Sequence, residues 1–246
     1  MRIRGAAVLL AASLPVAAVE VRVMSAGAVK TAFSEAVSAW EAVTGHRVVA
    51  SFAPAGELRK KVGAGEAADI LIVPREGLAD VESALAPGAR YDLGTVAMGV
   101  AVRAGAARPD ISTPEALKAT LLATKSLTYM DPTRGTSGKH FDESVLPQLG
   151  IRDEVRAKTS FGEGGFIAEK VARGEVEMAF HQITEMLPVQ GITIVGPLPD
   201  SLQKKTVYTG AVMGKAAHPD EARALLEFLV SPSGRSYFYN RGFTPP

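Results

Sequence analysis

The sequence predicts an α/β fold, because strand-like and helix-like segments alternate along most of the chain. The run ADILIVP (68–74) is continuously apolar, as in a parallel strand that is buried on both faces. Residues 29–43 place apolar side chains three or four positions apart, as one face of a helix does. Of the 246 residues, 47% are hydrophobic, which is enough for one large core or two modest ones.

The elements of the first part follow one another in a regular order. VEVRVMSAG (19–27) and HRVVASFA (46–53) predict the first two strands, and the helix between them ends at Gly45. A short helix, ELRKKV (57–62), separates the second strand from the strand at 68–74. Strands that alternate with helices in this way favour right-handed crossovers and an open sheet.

The second part of the chain repeats the alternation. TVAMGVAVR (95–103) predicts a strand, and the spacing of Ser112 and Glu115 predicts a helix start with a capping box. Later patterns predict strands at 126–130, 175–182, 191–196 and 205–213, and helices at 164–174, 219–230 and 231–242. No low-complexity linker or tandem repeat interrupts these segments.

The first residues are typical of a secretory signal peptide. Arg2 and Arg4 precede an apolar run that is shorter than the roughly 20 residues needed to span a membrane. Small residues at 16–18 suit cleavage after Ala18, and we therefore expect export to the periplasm. Cleavage would leave 25 basic residues (27 − 2) against 26 acidic ones, so the chain lacks the basic excess of a nucleic-acid-binding protein.

The composition excludes several kinds of catalytic and metal-binding site. The chain has no cysteine, which excludes a disulfide scaffold, a thiol nucleophile and thiolate metal ligands. Its four histidines lack the spacing of paired metal ligands, so the sequence predicts no metal or cofactor. A monomer that acts on a small anionic ligand fits these observations.

The loop DPTRGTSG (131–138) is the strongest candidate for an anion site. Arg134 offers a planar fork that matches a carboxylate, and backbone N–H groups at the following helix start favour a negative oxygen. A P-loop would need glycine at Thr133, and a nucleophile elbow would need glycine at Lys139. The alternative is a plain helix start with Ser137 as the N-cap.

Five segments resemble the periplasmic molybdate-binding protein family: VMSAGAVKTAF, SFAPAGEL, ADILIVP, DPTRGTSG and PDEARALLEFLVSPSGRSYFYNRGF. The resemblance covers nearly all of the chain after residue 18. It implies a two-lobed periplasmic binding protein fold of type II, whose ligand is clamped between the lobes and handed to an ABC-type transporter. The predicted lobes are residues 19–95 with 210–246, and residues 96–209.

The loops depart from this family in their chemistry. Molybdate binders resemble one another in offering hydroxyl groups where this chain has Gly27-Ala28-Val29, Pro54-Ala55-Gly56 and Phe180-His181-Gln182. The missing hydroxyls favour an organic carboxylate, although backbone amides alone can hold molybdate or tungstate. The predicted ligand contacts are Gly27, Ala28, Ala55, Gly56, Arg134, Gly135, Thr136, Ser137, His181 and Gln182, with Ser25, Arg75, Gly164 and Gly165 as further candidates.

A second, less extensive resemblance, carried by DPTRGTSG and FHQITEMLPV, is to the exported aconitate isomerases. It implies an enzyme that moves a proton between carbon atoms of an unsaturated tricarboxylate. His181 or Glu163 would then be the base, and Arg134 the electrostatic partner. His181 also fits a structural histidine of the core, and Gly164 and Gly165 also fit a tight turn. The sequence favours a binding protein, with the isomerase as the alternative.

Overall fold

Two separate β-sheets form the framework of the computed structural model, which describes residues 18–88 and 90–246. The strands are, in chain order, β1 (Glu20–Ala26), β2 (Arg47–Ala53), β3 (Ile70–Pro74), β4 (Tyr91–Val96), β5 (Met98–Arg103), β6 (Leu127–Tyr129), β7 (Met178–Gln182), β8 (Ile192–Pro197) and β9 (Thr206–Val212). The first sheet has the order β2-β1-β3-β9-β4, and the second has the order β6-β7-β5-β8. Both sheets mix parallel and antiparallel pairs, and the predicted α/β fold class is confirmed.

Helices flank both sheets. Within the described residues they are α1 (Lys30–Thr44), α2 (Ala55–Gly63), α3 (Pro114–Ala123), α4 (Thr136–His140), α5 (Leu146–Leu149), α6 (Arg152–Arg156), α7 (Glu169–Ala172), α8 (Ile183–Met186), α9 (Pro219–Val230) and α10 (Pro232–Tyr239). Tight helical turns at Gly27–Val29 and Arg75–Ala84 precede α1 and follow β3. A wider turn at Phe141–Val145 joins α4 to α5, so helical structure runs from Thr136 to Leu149.

Each sheet has its own hydrophobic core, and the second sheet carries a further small cluster around Ala101 and Ala179. Trp40 of α1 is 4% exposed in the first core, and its ring centroid lies 5.4 Å from that of His46. In the second core Phe141 stacks on Phe180 of β7, with their ring centroids 4.6 Å apart. Aromatic burial of this kind fixes the helical stretch from Thr136 to Leu149 against the second sheet.

The chain crosses from one sheet to the other at Ala97. The single strand predicted at 95–103 is therefore wrong, since β4 lies in the first sheet and β5 in the second. The sequence hid this break because the residues on both sides of Ala97 are apolar and buried, although in different cores. The chain returns through residues 198–205 to β9.

The division into lobes at 95/96 and 209/210 stays a prediction. All of β9 pairs with strands of the first sheet, which favours placing the second boundary ahead of Thr206. Residues 1–17, which hold most of the predicted signal peptide, lie outside the described residues. In the part of the chain that is described, no helix is both long and apolar enough to cross a membrane.

Two helix starts differ from the predictions. Thr113, rather than Ser112, caps α3, because its Oγ1 accepts a hydrogen bond from the Ala116 N–H at 3.1 Å. The helix predicted at 164–174 is helical only over α7, and Gly165 before it has a φ of 69°, which favours glycine. The spacing of apolar residues does not reveal such a turn.

Candidate functional site

A cavity of about 310 Å³ lies where strand ends from both sheets meet. On one side Ala26, Ala53 and Pro74 end β1, β2 and β3, and on the other side Gln182 ends β7. Open α/β sheets bind ligands beyond the carboxyl ends of their strands, because the loops that follow are free to face a ligand. The volume suits a small molecule.

Helix starts surround this cavity. Gly27 and Ala28 lie in the turn that leads into α1, Ala55 begins α2 and Thr136 begins α4. No side chain accepts a capping hydrogen bond at any of these starts. The free N–H groups of a helix start carry partial positive charge, so their convergence favours an anionic ligand.

Arg134 lines the cavity with part of its guanidinium group unpaired. Its Nη2 donates a hydrogen bond to Glu57 Oε2 at 3.3 Å, and the two side chains are 41% and 42% exposed. Its Nε is buried and has no hydrogen-bond partner among the described residues. A buried donor without a partner is costly, so a ligand oxygen that reached this edge of the guanidinium would be stabilised.

Close packing shapes the loop that carries Arg134. A Cβ atom on Gly135 would overlap the Met130 side chain, and one on Gly138 would overlap the Met130 carbonyl oxygen. The loop therefore packs tightly, contrary to what small residues suggest in sequence. The Thr133 hydroxyl and N–H both donate to the Asp131 carboxylate, which holds its pKa below the ordinary value and fixes the turn before Arg134.

Ser137, His181 and Glu185 form a buried polar row on the cavity wall. His181 Nδ1 shares a hydrogen bond of 3.2 Å with Ser137 Oγ. His181 Nε2 lies 3.2 Å from Glu185 Oε2, but the two atoms are not aligned as a hydrogen bond. The three residues are 6%, 1% and 6% exposed. An imidazole placed between a hydroxyl and a carboxylate can accept and hold a proton.

This row changes the interpretation of Ser137 and Gly27, which were both predicted ligand contacts. Ser137 is not the cap of its helix, because Gly135 is the N-cap and the Ser137 hydroxyl is bound to His181. Glu185 is brought into the row by α8, one helical turn beyond His181. A Cβ atom on Gly27 would lie 2.7 Å from Glu185 Oε1, so glycine leaves room for this carboxylate at the first helix start.

Three predicted contacts lie away from this cavity. The Gly56 N–H donates to the Arg134 carbonyl at 3.0 Å and is thereby occupied. Ser25 is fully buried, and its hydroxyl donates to the Ala26 carbonyl at 3.2 Å. Arg75 pairs with Asp92, with its Nε 3.2 Å from Oδ1. A position next to a strand end is thus not sufficient to predict a ligand contact, because a polar group there can already be bound to a neighbouring residue.

The other predicted residues line the cavity: Gly27, Ala28, Ala55, Arg134, Gly135, Thr136, Ser137, Glu163, Gly164, Gly165, His181 and Gln182. Their contact with a ligand stays a prediction. Glu163, the second candidate base, is exposed.

Four charged or polar lining residues were missed: Lys30, Glu57, Glu185 and Tyr208. Lys30 begins α1, and its Nζ lies 5.8 Å from the Phe52 ring centroid and 5.5 Å from that of Phe166. Burial, followed by the charge of Glu185, raises the pKa of Tyr208 well above its ordinary value, while the Gln182 side chain opposes this shift. The sequence offered one signal, the position of Glu185 four residues after His181.

The model of the bacterial extracellular solute-binding protein family matches residues 21–244. The chain belongs to this family. This solute-binding protein is 33% identical over 248 residues to an aconitate isomerase of a Pseudomonas species, with 96% of this chain and 94% of the relative covered. It is 25% identical over 231 residues to the molybdate-binding protein of Escherichia coli (strain K12), with 92% and 89% covered.

The fold of this solute-binding protein is shared with a known binding protein. The periplasmic molybdate-binding protein of Azotobacter vinelandii aligns with a TM-score of 0.78 and 16% identity, over 92% of this chain and 99% of that chain. The predicted type II fold and both predicted resemblances are confirmed. Of these two relatives, the isomerase is the more similar in sequence, although the motifs favoured the molybdate-binding proteins.

Proposed function

We propose that this solute-binding protein binds an unsaturated tricarboxylate of the aconitate type and interconverts its cis and trans forms by moving one proton. The proposal is carried by the buried row of Ser137, His181 and Glu185 on the wall of an anion cavity. A protein that only clamps an anion needs no proton acceptor beside it, and a buried carboxylate there is costly, because like charges repel and burial of a charge is unfavourable. A site for proton transfer uses such a group.

The proposed reaction moves a proton along a unit of three carbon atoms. A base takes a proton from the CH₂ carbon, and the electron pair of that bond spreads over the allylic carbons and the adjoining carboxylates. The proton then returns to the former alkene CH carbon. The double bond has moved by one position and the geometric isomer is formed, with no atom gained or lost.

The cavity offers a residue for each part of this reaction. His181 and Glu185, whose Nε2 and Oε2 atoms lie 3.2 Å apart, act as the proton-accepting pair. Ser137 holds the imidazole in place through Nδ1. Arg134 and the helix starts stabilise the negative charge that spreads over the substrate. Glu163 lies exposed at the cavity without a close charged partner among the described residues, which makes it the poorer base.

The polar groups of the cavity also favour a carboxylate over molybdate. The unpaired Nε of Arg134 and its neighbouring Nη2 can bind the two oxygens of a planar carboxylate together. The hydroxyl-bearing side chains of the lining are Thr136, Ser137 and Tyr208, and Ser137 is already bound to His181. A small tetrahedral oxyanion would thus find few hydroxyl donors.

Family membership supports a second candidate function. The chain would be exported to the periplasm and would bind an organic carboxylate without changing it, for delivery to an ABC-type transporter. The size of the cavity between the sheets and its basic residues Lys30 and Arg134 also suit this role. Turnover therefore distinguishes the two candidates.

Proton NMR of the purified protein with cis-aconitate, and separately with trans-aconitate, in deuterated water tests the proposal. We expect formation of the other isomer, with deuterium in the product if the proton-accepting pair exchanges with solvent. His181→Gln should lower the rate by about 10²- to 10⁴-fold, because it removes the proton acceptor. The matched control is His140→Gln, since His140 Nε2 meets the Leu202 carbonyl outside the cavity and this variant should keep its activity.

Each outcome decides between the candidates. Saturable binding without conversion supports the transport role and rejects the isomerase. Conversion at the wild-type rate by His181→Gln removes the assigned role of the histidine. The absence of both binding and conversion rejects an aconitate-type ligand.

A further inference from the structure

We infer that Glu57 determines specificity: its carboxylate occupies Arg134 as an internal counter-ion, which a ligand must displace, so that ligands with few carboxylates are rejected. This inference rests on the proposed function, because it concerns how the same cavity selects among carboxylates. No role for Glu57 follows from the proposed proton transfer itself.

The backbone holds Glu57 in place beside Arg134. Glu57 lies in the first turn of α2, and the preceding Gly56 N–H donates to the Arg134 carbonyl at 3.0 Å. A Cβ atom on Gly56 would lie 2.9 Å from that carbonyl oxygen, so glycine permits the close approach. The Glu57 side chain then reaches Arg134 Nη2 at 3.3 Å. The Glu57 carboxylate therefore lies beside the guanidinium because a backbone hydrogen bond already holds the two chain segments together.

The ion pair with Glu57 leaves other hydrogen-bond donors of the Arg134 guanidinium without a partner in the described part of the chain. Glu57 binds Nη2, while Nε stays buried without a partner among the described residues. A ligand carboxylate that takes both nitrogens competes with Glu57, because two carboxylates beside one guanidinium repel each other. Binding at Arg134 is thus an exchange of one carboxylate for another.

The charges around the cavity decide which ligand benefits from this exchange. The lining contains the acidic residues Glu57, Glu163 and Glu185 and the basic residues Lys30 and Arg134. A monocarboxylate that displaces Glu57 adds negative charge to this wall and gains a single contact. A polycarboxylate can also place a carboxylate at Lys30, which offsets the displacement. Glu57 thereby acts as a repulsive element against the wrong ligand.

A structural role for Glu57 predicts a different result. If the ion pair only helps to hold α2 against the loop of Arg134, its removal should weaken every ligand or change none. An exposed ion pair of this kind contributes little to stability. The dependence on ligand charge therefore distinguishes the specificity role from the structural one.

The test compares dissociation constants of the wild-type protein and Glu57→Gln, measured by calorimetry with crotonate, fumarate, tricarballylate and trans-aconitate. We expect Glu57→Gln to bind the mono- and dicarboxylate about two- to five-fold more tightly. Its affinity for the tricarboxylates should change less, so that discrimination falls. Glu57→Asp keeps the charge on a shorter side chain and should behave between the two.

Glu35→Gln is the charge-matched control, because it removes a carboxylate from a similarly exposed ion pair, with Arg241, outside the cavity. An equal change for all four ligands in Glu57→Gln, or the same selective gain in Glu35→Gln, overturns the inference while the proposed function stands. Weaker binding of every ligand also overturns it, in favour of the structural role. If the wild-type protein binds none of the four, both the inference and the proposed function fail.

Discussion

Three polar atoms at the cavity stand out because no neighbouring residue that the structure describes satisfies their hydrogen-bonding capacity. Arg134 Nε, His181 Nε2 and the Gln182 side-chain oxygen are all buried without a hydrogen-bond partner among the described residues. Such groups are rare in folded proteins, and each one costs free energy until a partner arrives. All three residues line the same cavity, which makes these atoms candidates for ligand contact.

Replacement of Arg134 tests the anion site at the level of one residue. Arg134→Ala removes a charge-assisted contact, and we expect affinity for trans-aconitate to fall by about ten- to a hundred-fold, or roughly 1.5 to 3 kcal/mol. Arg134→Lys keeps the charge but loses the fork, so its loss should be smaller. Titration calorimetry provides the measurement.

Arg75→Ala is the control, because Arg75 pairs with Asp92 away from the cavity and its loss should leave affinity unchanged. A lower melting temperature of ligand-free Arg134→Ala, with unchanged affinity for every anion, would identify Arg134 as a structural brace.

Replacement of Ser137 tests the buried polar row. Ser137→Ala leaves His181 Nδ1 without its hydroxyl partner, so the imidazole should lose its fixed orientation. We expect kcat to fall more than KM rises, with a loss of about 0.5 to 1.5 kcal/mol in the free energy of unfolding. Ser38→Ala, on the exposed side of α1, is the control and should change neither. An unchanged pH profile and an unchanged kcat would remove Ser137 from the site.

At the scale of secondary structure, the sequence predicts elements well where one face is apolar and poorly where tertiary contacts decide. The spacing of apolar residues predicted α1, α9 and the buried strand β3, because their burial follows directly from hydrophobic pattern. It did not reveal α8, which is four residues long and places Glu185 at the cavity. A helix of this length is too short to show periodicity.

The loop before α4 shows the same limit. Small residues bury little apolar area on their own, yet Gly135 and Gly138 lie against Met130. The sequence could suggest an anion site from Arg134 and the helix start, whereas it could not show that Glu57 and Glu185 share the cavity. Those contacts join positions that are far apart in the chain.

Gly138→Ala tests the packing of this loop. The added Cβ atom would overlap the Met130 carbonyl, so we expect a loss of more than about 2 kcal/mol in the free energy of unfolding. Gly63→Ala is the matched control, since nothing lies within 4 Å of its Cβ position at the end of α2. That variant should be neutral or more stable by up to about 1 kcal/mol. Urea denaturation measures both, and equal stabilities would contradict the tight packing.

Few chain segments connect the two sheets, and residues from both sides line the cavity. A ligand that touches both walls stabilises the folded state as a whole, because it binds only when the two sheets are assembled around it. Composition and alternation predicted the α/β class. The two exact crossing points, at Ala97 and at residues 198–205, needed the pairing of strands that are distant in sequence.

A thermal shift measures this stabilisation. Trans-aconitate at 100 times its dissociation constant should add about 2.7 kcal/mol, or about 5 to 10 °C in Tm for a chain of this size. Arg134→Ala should show a much smaller shift at the same ligand concentration. Molybdate should give a smaller shift than trans-aconitate, and the reverse order would favour an oxyanion as the ligand.

The position of the single tryptophan determines what the intrinsic fluorescence of the protein can report. Trp40 is packed in the first core and does not line the cavity, so its intrinsic fluorescence should follow unfolding and remain nearly constant when a ligand binds. Phe166 lies on the cavity wall, 5.5 Å from Lys30 Nζ. Phe166→Trp, in a Trp40→Phe background, would therefore place an optical reporter where an arriving carboxylate changes the electrostatic surroundings of the indole. The protein could then serve as the basis of a fluorescent sensor for the ligand that it binds.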